Sequence, residues 1–232
     1  MVIDDLALMK LRAEIDFTYD AGGRMLLTGE PCVEARRPAP RFTIGCAKGG
    51  HTAHFGATLP DTTVRELQQF IDELSPVEAL RFPEATLGTL REILGGRESG
   101  GGPVYRFPEE ISSSGNAILL TQANRERATE TFSWLFEEVS DWKPCFVVIH
   151  DGAAVSACYS SRIGSLAAEA GVDTLAAFRG RGCAAAVTAA WGSEIRAMGR
   201  IPIYSTGWSN LASQGVARRV GLELFGTDVT WD

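Results

Sequence analysis

The chain has 232 residues, 45% of them apolar and 22% charged, a balance that suits a globular protein and excludes disorder as its main state. Lys and Arg total 22 against 29 Asp and Glu, a net charge of −7, which argues against a nucleic-acid surface as its main business. Cys32, Cys46, Cys145, Cys158 and Cys183 are odd in number, widely spaced and without a CxxC pair, so a soluble cytoplasmic protein is expected, with no disulfide scaffold, no signal peptide and no membrane span.

In chain order, residues 6–15 predict a short helix, with Leu8, Leu11 and Ile15 at helical spacing. Residues 24–27, 41–47 and 53–59 predict strands. Asp61 reads as the N-cap of an amphipathic helix carrying Val64, Leu67, Phe70, Ile71 and Leu74, stopped at Ser75-Pro76. Residues 86–94 predict a second helix closed by Gly95-Gly96. The glycine-rich stretch 95–103 reads as a flexible linker. Beyond it, residues 117–121 predict a strand, and Asn124 a cap for a helix reaching about Val139. Residues 145–150, Asp151-Gly152 and residues 153–159 predict a hairpin, because Asp-Gly suits a turn that needs positive φ at both positions. Residues 166–174 predict a strand, 182–198 an alanine-rich helix, 201–205 a strand and 211–220 a helix closed by Gly221. Residues 222–225 and 229–231 predict two short final strands.

The stretch that carries chemistry is Thr174 to Ala184, with Arg179-Gly180-Arg181-Gly182 at its centre. A strand runs into two glycines and a helix begins at once. Helix N-termini offer unpaired N–H groups and partial positive charge, glycine lets them approach a ligand, and two arginines add full charge. Together they suit a bulky anion such as a pyrophosphate. Gly180-x-Gly182-x-x-Ala185 also fits a dinucleotide fingerprint. That pattern wants an acid at the end of the next strand, and residues 201–205 carry none; the chain left after it is too short for a doubly wound sheet.

These residues resemble the acyl-CoA signature of the GNAT superfamily, Arg/Gln-x-x-Gly-x-Gly/Ala, with Arg179, Gly182 and Ala184 in its three positions. Trp208-Ser-Asn210, Ser213 and Ala217-Arg-Arg-Val-Gly221-Leu222 are similar to a second GNAT signature, in which an Asn follows the fifth strand and a Gly-Phe pair ends the next helix. The wording is closest to a less-studied bacterial branch. The resemblance implies an α/β (α+β) fold with a mixed, mostly antiparallel sheet flanked by helices. A GNAT domain is expected over 111–232, with a smaller α/β domain over 1–110 serving as a degenerate copy of the fold, an acceptor-binding lid or a homodimerisation unit.

The resemblance further implies transfer of an acetyl group from acetyl-CoA to a primary amine of a small molecule or peptide, with no metal. Val172, Asp173 and Thr174 would bond the pantetheine amides, and Arg179, Gly180, Arg181, Gly182, Cys183 and Ala184 would hold the pyrophosphate. Asn210 and Ser213 would reach the cofactor arm. Glu169 is the expected general base for the attacking amine, although it and Thr174 fall on opposite faces of a regular strand unless a bulge intervenes. Where many GNAT enzymes carry a Tyr that protonates the departing thiolate, this chain has Ala217, which leaves Ser213, Tyr204 or a water for that task. Two other readings stand beside this one: a non-catalytic acyl-CoA sensor and a nucleotide-dependent oxidoreductase. His51, His54 and Cys46 lack the spacing of a metal site and are expected in the core or in solvent. Cys183 is expected to fill space, and Trp208 either to line an acceptor pocket or to pack on the sheet.

Overall fold

A computed structural model describes residues 3–76, 80–112, 115–128, 132, 134–135 and 143–232. Its centre is a nine-stranded sheet, mostly antiparallel, with helices on both faces, as the resemblance implies. The strands are β1 Phe17–Tyr19, β2 Met25–Thr28, β3 Phe42–Ala47, β4 Gly50–Phe55, β5 Gly100–Arg106, β6 Ala117–Leu119, β7 Phe146–His150, β8 Ala153–Ile163, β9 Ala167–Thr174, β10 Ile201–Ser205 and β11 Glu223–Trp231. The helices among the described residues are α1 Asp5–Asp16, α2 Asp61–Asp72, α3 Glu84–Leu94, α4 Cys183–Ala197 and α5 Leu211–Val220. The large sheet runs β4-β3-β11-β5-β10-β9-β8-β7-β6, and β1 and β2 form a separate ribbon. No helix among the described residues is long and apolar enough to cross a membrane.

Side-chain alternation along the strands sorts the helices onto two faces. Ala167, Ile203, Val104 and Phe225 pack under α1 with Leu8, Met9, Leu11 and Ile15. Neighbouring strand positions point the other way. Ala168, Ala170 and Tyr204 meet Val187, Trp191 and Ile195 of α4 and Ala217 of α5, while Phe42, Ile44 and Trp231 meet α2 and α3. The α1 helix therefore covers the middle of one face, and the pairs α2/α3 and α4/α5 lie side by side on the other.

The structure corrects the sequence reading in several places. Residues 95–103 are not a linker throughout: Gly100 opens β5, a central strand between β11 and β10. The glycines are there because the neighbours leave no room. A Cβ on Gly102 would lie 1.9 Å from the Thr206 carbonyl oxygen, and one on Gly101 2.4 Å from that of Asp228. The division expected near residue 110 falls between β5 and β6, two strands of the same sheet. The two final strands are one, β11, with an irregular register between Leu224 and Gly226. Pro60, not Asp61, holds the N-cap position of α2, because its extended backbone (ψ 144°) sets Asp61 as the first helical residue. Most of the helix expected over 124–139 lies outside the described residues; Asn124 itself accepts a hydrogen bond from Thr121 N–H at 2.7 Å. The Asp151-Gly152 turn has φ of 49° and 82° at its two residues, as the hairpin requires.

Candidate active site

The sheet opens where β9 and β10 part. These two strands are parallel, and their pairing runs only from Ile201↔Ala167 to Ile203↔Glu169. Beyond it the ends of both strands diverge, leaving backbone edges that face each other across a gap. A cleft of about 860 Å³ enters this gap, lined by Ala170 to Thr174 of β9 and by Tyr204 and Ser205 of β10. Because both strand faces contribute, the cleft reaches through the sheet. Val172 and Tyr204 face α4 and α5, whereas Gly171 and Ser205 face the side of α1.

On the α4 face the cleft ends at the glycine–arginine corner. Arg179, Gly180, Gly182, Cys183 and Ala184 line it. Gly180 and Gly182 have φ of 75° and 89°, a region that disfavours every side chain. The first α4 bond runs from Ala186 N–H to the Gly182 carbonyl at 3.0 Å. The amides from Gly180 to Ala185 precede it and make no backbone hydrogen bond of good geometry among the described residues. They form a concave set of donors at the positive end of a helix dipole. Arg219 of α5 presses on this loop, its guanidinium 3.3 Å from where a Cβ on Gly182 would lie, and it lines the cleft as well. Arg181 is set differently: it covers the Phe178 ring at 5.1 Å and lines a smaller neighbouring depression with Ser112 and Asn116.

Asn210 caps α5, its Oδ1 accepting from Ser213 N–H at 3.0 Å. The Ser213 hydroxyl lies 2.6 Å from the Tyr204 hydroxyl, and both line the cleft. Burial pushes the Tyr204 phenol up to about 12, with the Ser213 hydrogen bond opposing the shift. Ala217 is fully buried in the same core cluster as Tyr204. At the other strand end Thr174 and Ser156 join hydroxyls at 2.7 Å, and Tyr159 donates to Asp173 at 3.2 Å.

Glu169 is placed apart from the cleft lining, on the α1 face, in a buried ionic cluster. Arg12 donates from Nε to Glu169 Oε2 at 3.0 Å, bonds Asp228 through Nη1, and lies 3.2 Å from Asp16. Ser205 donates to Glu169 Oε1. Burial raises the Glu169 carboxyl, but Arg12, the Ser205 hydroxyl and Arg162 outweigh it and hold the group below its ordinary range. Asp16 goes the other way. Burial takes it to about 8, the pull of Arg12 being only a partial offset and the charge of Glu169 adding to the rise. Asp228 also accepts from Gly102 N–H at 2.9 Å, tying β5 into the cluster.

Sequence reading did not find Arg12, Asp16, Ser205, Asp228 or Arg219 as site residues. Arg219 stood inside the second signature and only its place on the inward turn of α5 was missing. The others come from α1, β10 and β11, and nothing local marks them. Among the residues weighed and set aside, His54 accepts or donates at Nδ1 to the Tyr19 hydroxyl (3.3 Å), Cys46 meets the Thr227 hydroxyl (3.1 Å), and Trp208 lies under the Arg81 guanidinium at 4.5 Å. No group of three or more His, Cys, Asp or Glu gathers as a metal site among the described residues.

A family model described as GNAT acetyltransferase matches residues 113–227. No curated protein matches the sequence. Among solved structures, an acetyltransferase from the GNAT family of Colwellia psychrerythraea is similar at 15% identity and a TM-score of 0.49, over 78% of this chain and 76% of that one. A GCN5-related N-acetyltransferase-like protein from Streptococcus suis is similar at 18% identity and 0.46, over 83% and 84%. A GNAT-family structure from Novosphingobium aromaticivorans is similar at 18% identity and 0.43 over 58% of this chain, which spans 65% of that protein's length. Through residues 113–227, which hold the amide-lined corner and both strands of the gap, the chain belongs to the GNAT superfamily.

Proposed function

We propose that this protein is an N-acetyltransferase that moves an acetyl group from acetyl-CoA to a primary amine of a small molecule or peptide by direct attack. The observation that carries this reading is the cleft itself, which runs from the amide-lined corner on one face of the sheet to Ser205 on the other, where Ser205 bonds Glu169 of the carboxylate cluster. The donor set fits the cofactor. The amides of Gly180 to Ala184, with Arg179 and Arg219, would hold the pyrophosphate, and the exposed edge of Val172, Asp173 and Thr174 would bond the pantetheine arm. Asn210 keeps its amide NH₂ for that arm while its carbonyl caps α5. Bound there, acetyl-CoA supplies the activated acyl group.

An alkyl amine has a pKa of about 10 and is mostly protonated at neutral pH, so attack requires a proton acceptor. Glu169 is the proposed base: its carboxylate is ionised and so able to accept a proton, although Arg12 and Ser205 lower its basicity. Ser213, paired with Tyr204 beside the cleft, is proposed to protonate the departing thiolate in place of the Tyr that Ala217 replaces. Residues 1–110 would complete the acceptor side, since α1 brings Arg12 over the gap.

Calorimetry with acetyl-CoA, followed by free-thiol release with a panel of primary amines, tests the proposal. Saturable binding with thiol release on at least one amine is the expected result. Binding without turnover on any amine would make the protein an acyl-CoA sensor, and NADH binding without CoA binding would make it a nucleotide enzyme.

A further inference from the structure

A single hydroxyl separates Glu169 from the cleft. Glu169 is 7% exposed and does not line the gap, and both of its carboxylate oxygens are engaged, one by Arg12 and one by Ser205. Ser205 does line it. It is the last residue of β10, beyond the point where β10 stops pairing with β9. An amine in the cleft on the α1 face therefore meets Ser205 before any carboxylate of the cluster.

The hydrogen-bond inventory fixes which way the Ser205 hydroxyl points. An ionised carboxylate only accepts, so the one Ser205 proton must go to Glu169 Oε1. Arg12 Nη2 donates to one Ser205 lone pair at 3.3 Å. A second lone pair is left, on a residue that lines the cleft. The charged and titratable groups around the pair are Arg12 and Asp16 from α1, Arg162 from β8, Asp228 from β11 and, more distantly, His54 from β4, on which Arg12 acts.

We propose that Ser205 is a catalytic residue that receives the proton of the attacking amine and hands its own hydroxyl proton to Glu169. The inference rests on the acetyltransferase reading and sharpens it: Glu169 becomes the terminal proton acceptor, and Ser205 the group that touches substrate. The step balances. The ammonium gives one proton to Ser205 Oγ as the Ser205 O–H proton passes to Glu169 Oε1; the amine nitrogen so freed bonds the thioester carbonyl carbon, and its surplus N–H proton leaves to water in the cleft. The carbon–sulfur bond breaks with its electron pair leaving on sulfur, and the thiolate takes a proton from the Tyr204–Ser213 pair on the other face of the sheet. Solvent then returns Glu169 and that pair to their starting states. The two transfers thus sit on opposite faces of one sheet, joined through the gap between β9 and β10.

The test uses the full chain, acetyl-CoA, and two classes of acceptor probe: primary alkyl amines, protonated at pH 7, and hydroxylamine or aniline, which are neutral there. S205A should lower kcat on the best alkyl amine by about 100-fold, the scale of a lost acid–base group. It should leave acetyl-CoA affinity by calorimetry unchanged, which also reports that the site is folded. The loss on the neutral acceptors should be much smaller, and S205T should recover most of the alkyl-amine rate. S205A combined with E169Q should be no slower than either alone, since the two act in one chain. Unchanged turnover by S205A, or equal losses on both acceptor classes, would overturn the relay while leaving the transferase intact. Thiol release from neither class by the parent protein would remove the transferase reading and the relay with it.

Discussion

The two ends of the cleft are built in different ways. The amide-lined corner on the α4 face is local: Arg179 to Ala184 are consecutive, β9 and a 3-10 turn at Ala176–Phe178 come just before them, and α4 begins within them. The cluster on the α1 face is assembled from a distance, with Arg12 bonding Glu169 and Asp228 across separations of 157 and 216 residues. A corner of the first kind shapes binding through backbone geometry. A cluster of the second kind depends on α1, β9, β10 and β11 all being in place, and it ties the fold together at the point where the sheet opens.

The sharpest way to break that contrast is to remove the hub of the cluster. R12M keeps a long unbranched side chain and deletes the charge that holds Glu169 and Asp228. Glu169, Asp228 and Asp16 would then lose their shared partner, and loss of one member of such a buried set costs about 3–5 kcal/mol. Urea denaturation should show that loss in full, and acetyl-CoA affinity of the folded fraction should change little. A variant as stable as the parent would mean that the cluster does not join the elements as described.

This difference also explains what the sequence could disclose. The hairpin at Asp151-Gly152, the α4 and α5 helices and the corner were legible because each is set by short-range chemistry: positive φ, helical spacing, a glycine at a cap. The strand β5 was not, because glycines that usually mark a linker are here forced by the Thr206 and Asp228 backbones, which no local pattern reveals. Glu169 was legible as a carboxylate near the gap, but its partner Arg12 and its outlet Ser205 were not, since ordinary-looking residues acquire those positions only through sheet order. The parity objection to Glu169 also resolves in three dimensions. It does face away from Thr174, and because the strands part and open both faces the cleft reaches Ser205, which bonds it.

The cluster's second signature is a pH dependence of stability. The Asp16 carboxyl sits at about 8 in the folded protein against an ordinary 3.8, so over that interval the folded chain keeps a proton that the unfolded chain gives up. Stability therefore falls as pH rises through the window, with a slope of at most about 1.4 kcal/mol per pH unit for one proton. Glu169, held low, acts in the opposite sense, its contribution being lost only as pH falls below the carboxylate range, and His51 and His54, lowered by burial from an ordinary 6.5, also oppose Asp16 below that pH, so the decline toward pH 8 is where Asp16 is read. D16N removes the proton exchange and should flatten the decline, which urea midpoints at successive pH values would read. Parallel decline in D16N and the parent would place the titration elsewhere.

The smallest expected effect is on the local corner, and it separates the two ends most directly. Gly182 combines a φ of 89° with the Arg219 guanidinium 3.3 Å from where a Cβ would lie. In G182A the methyl group strains the left-handed backbone, at about 1 kcal/mol, and pushes on a flexible side chain that can yield. The fold and the α1-face cluster should be nearly untouched. The amides of Gly180 to Ala184, however, depend on this conformation to converge, and a shift of even one donor weakens a charge-assisted contact to phosphate. Acetyl-CoA affinity should fall by about tenfold, the equivalent of about 1.4 kcal/mol, with the urea midpoint moving far less than in R12M. If affinity instead survives while stability collapses, the corner serves the fold and not the ligand, and the contrast between the two ends of the cleft is reversed.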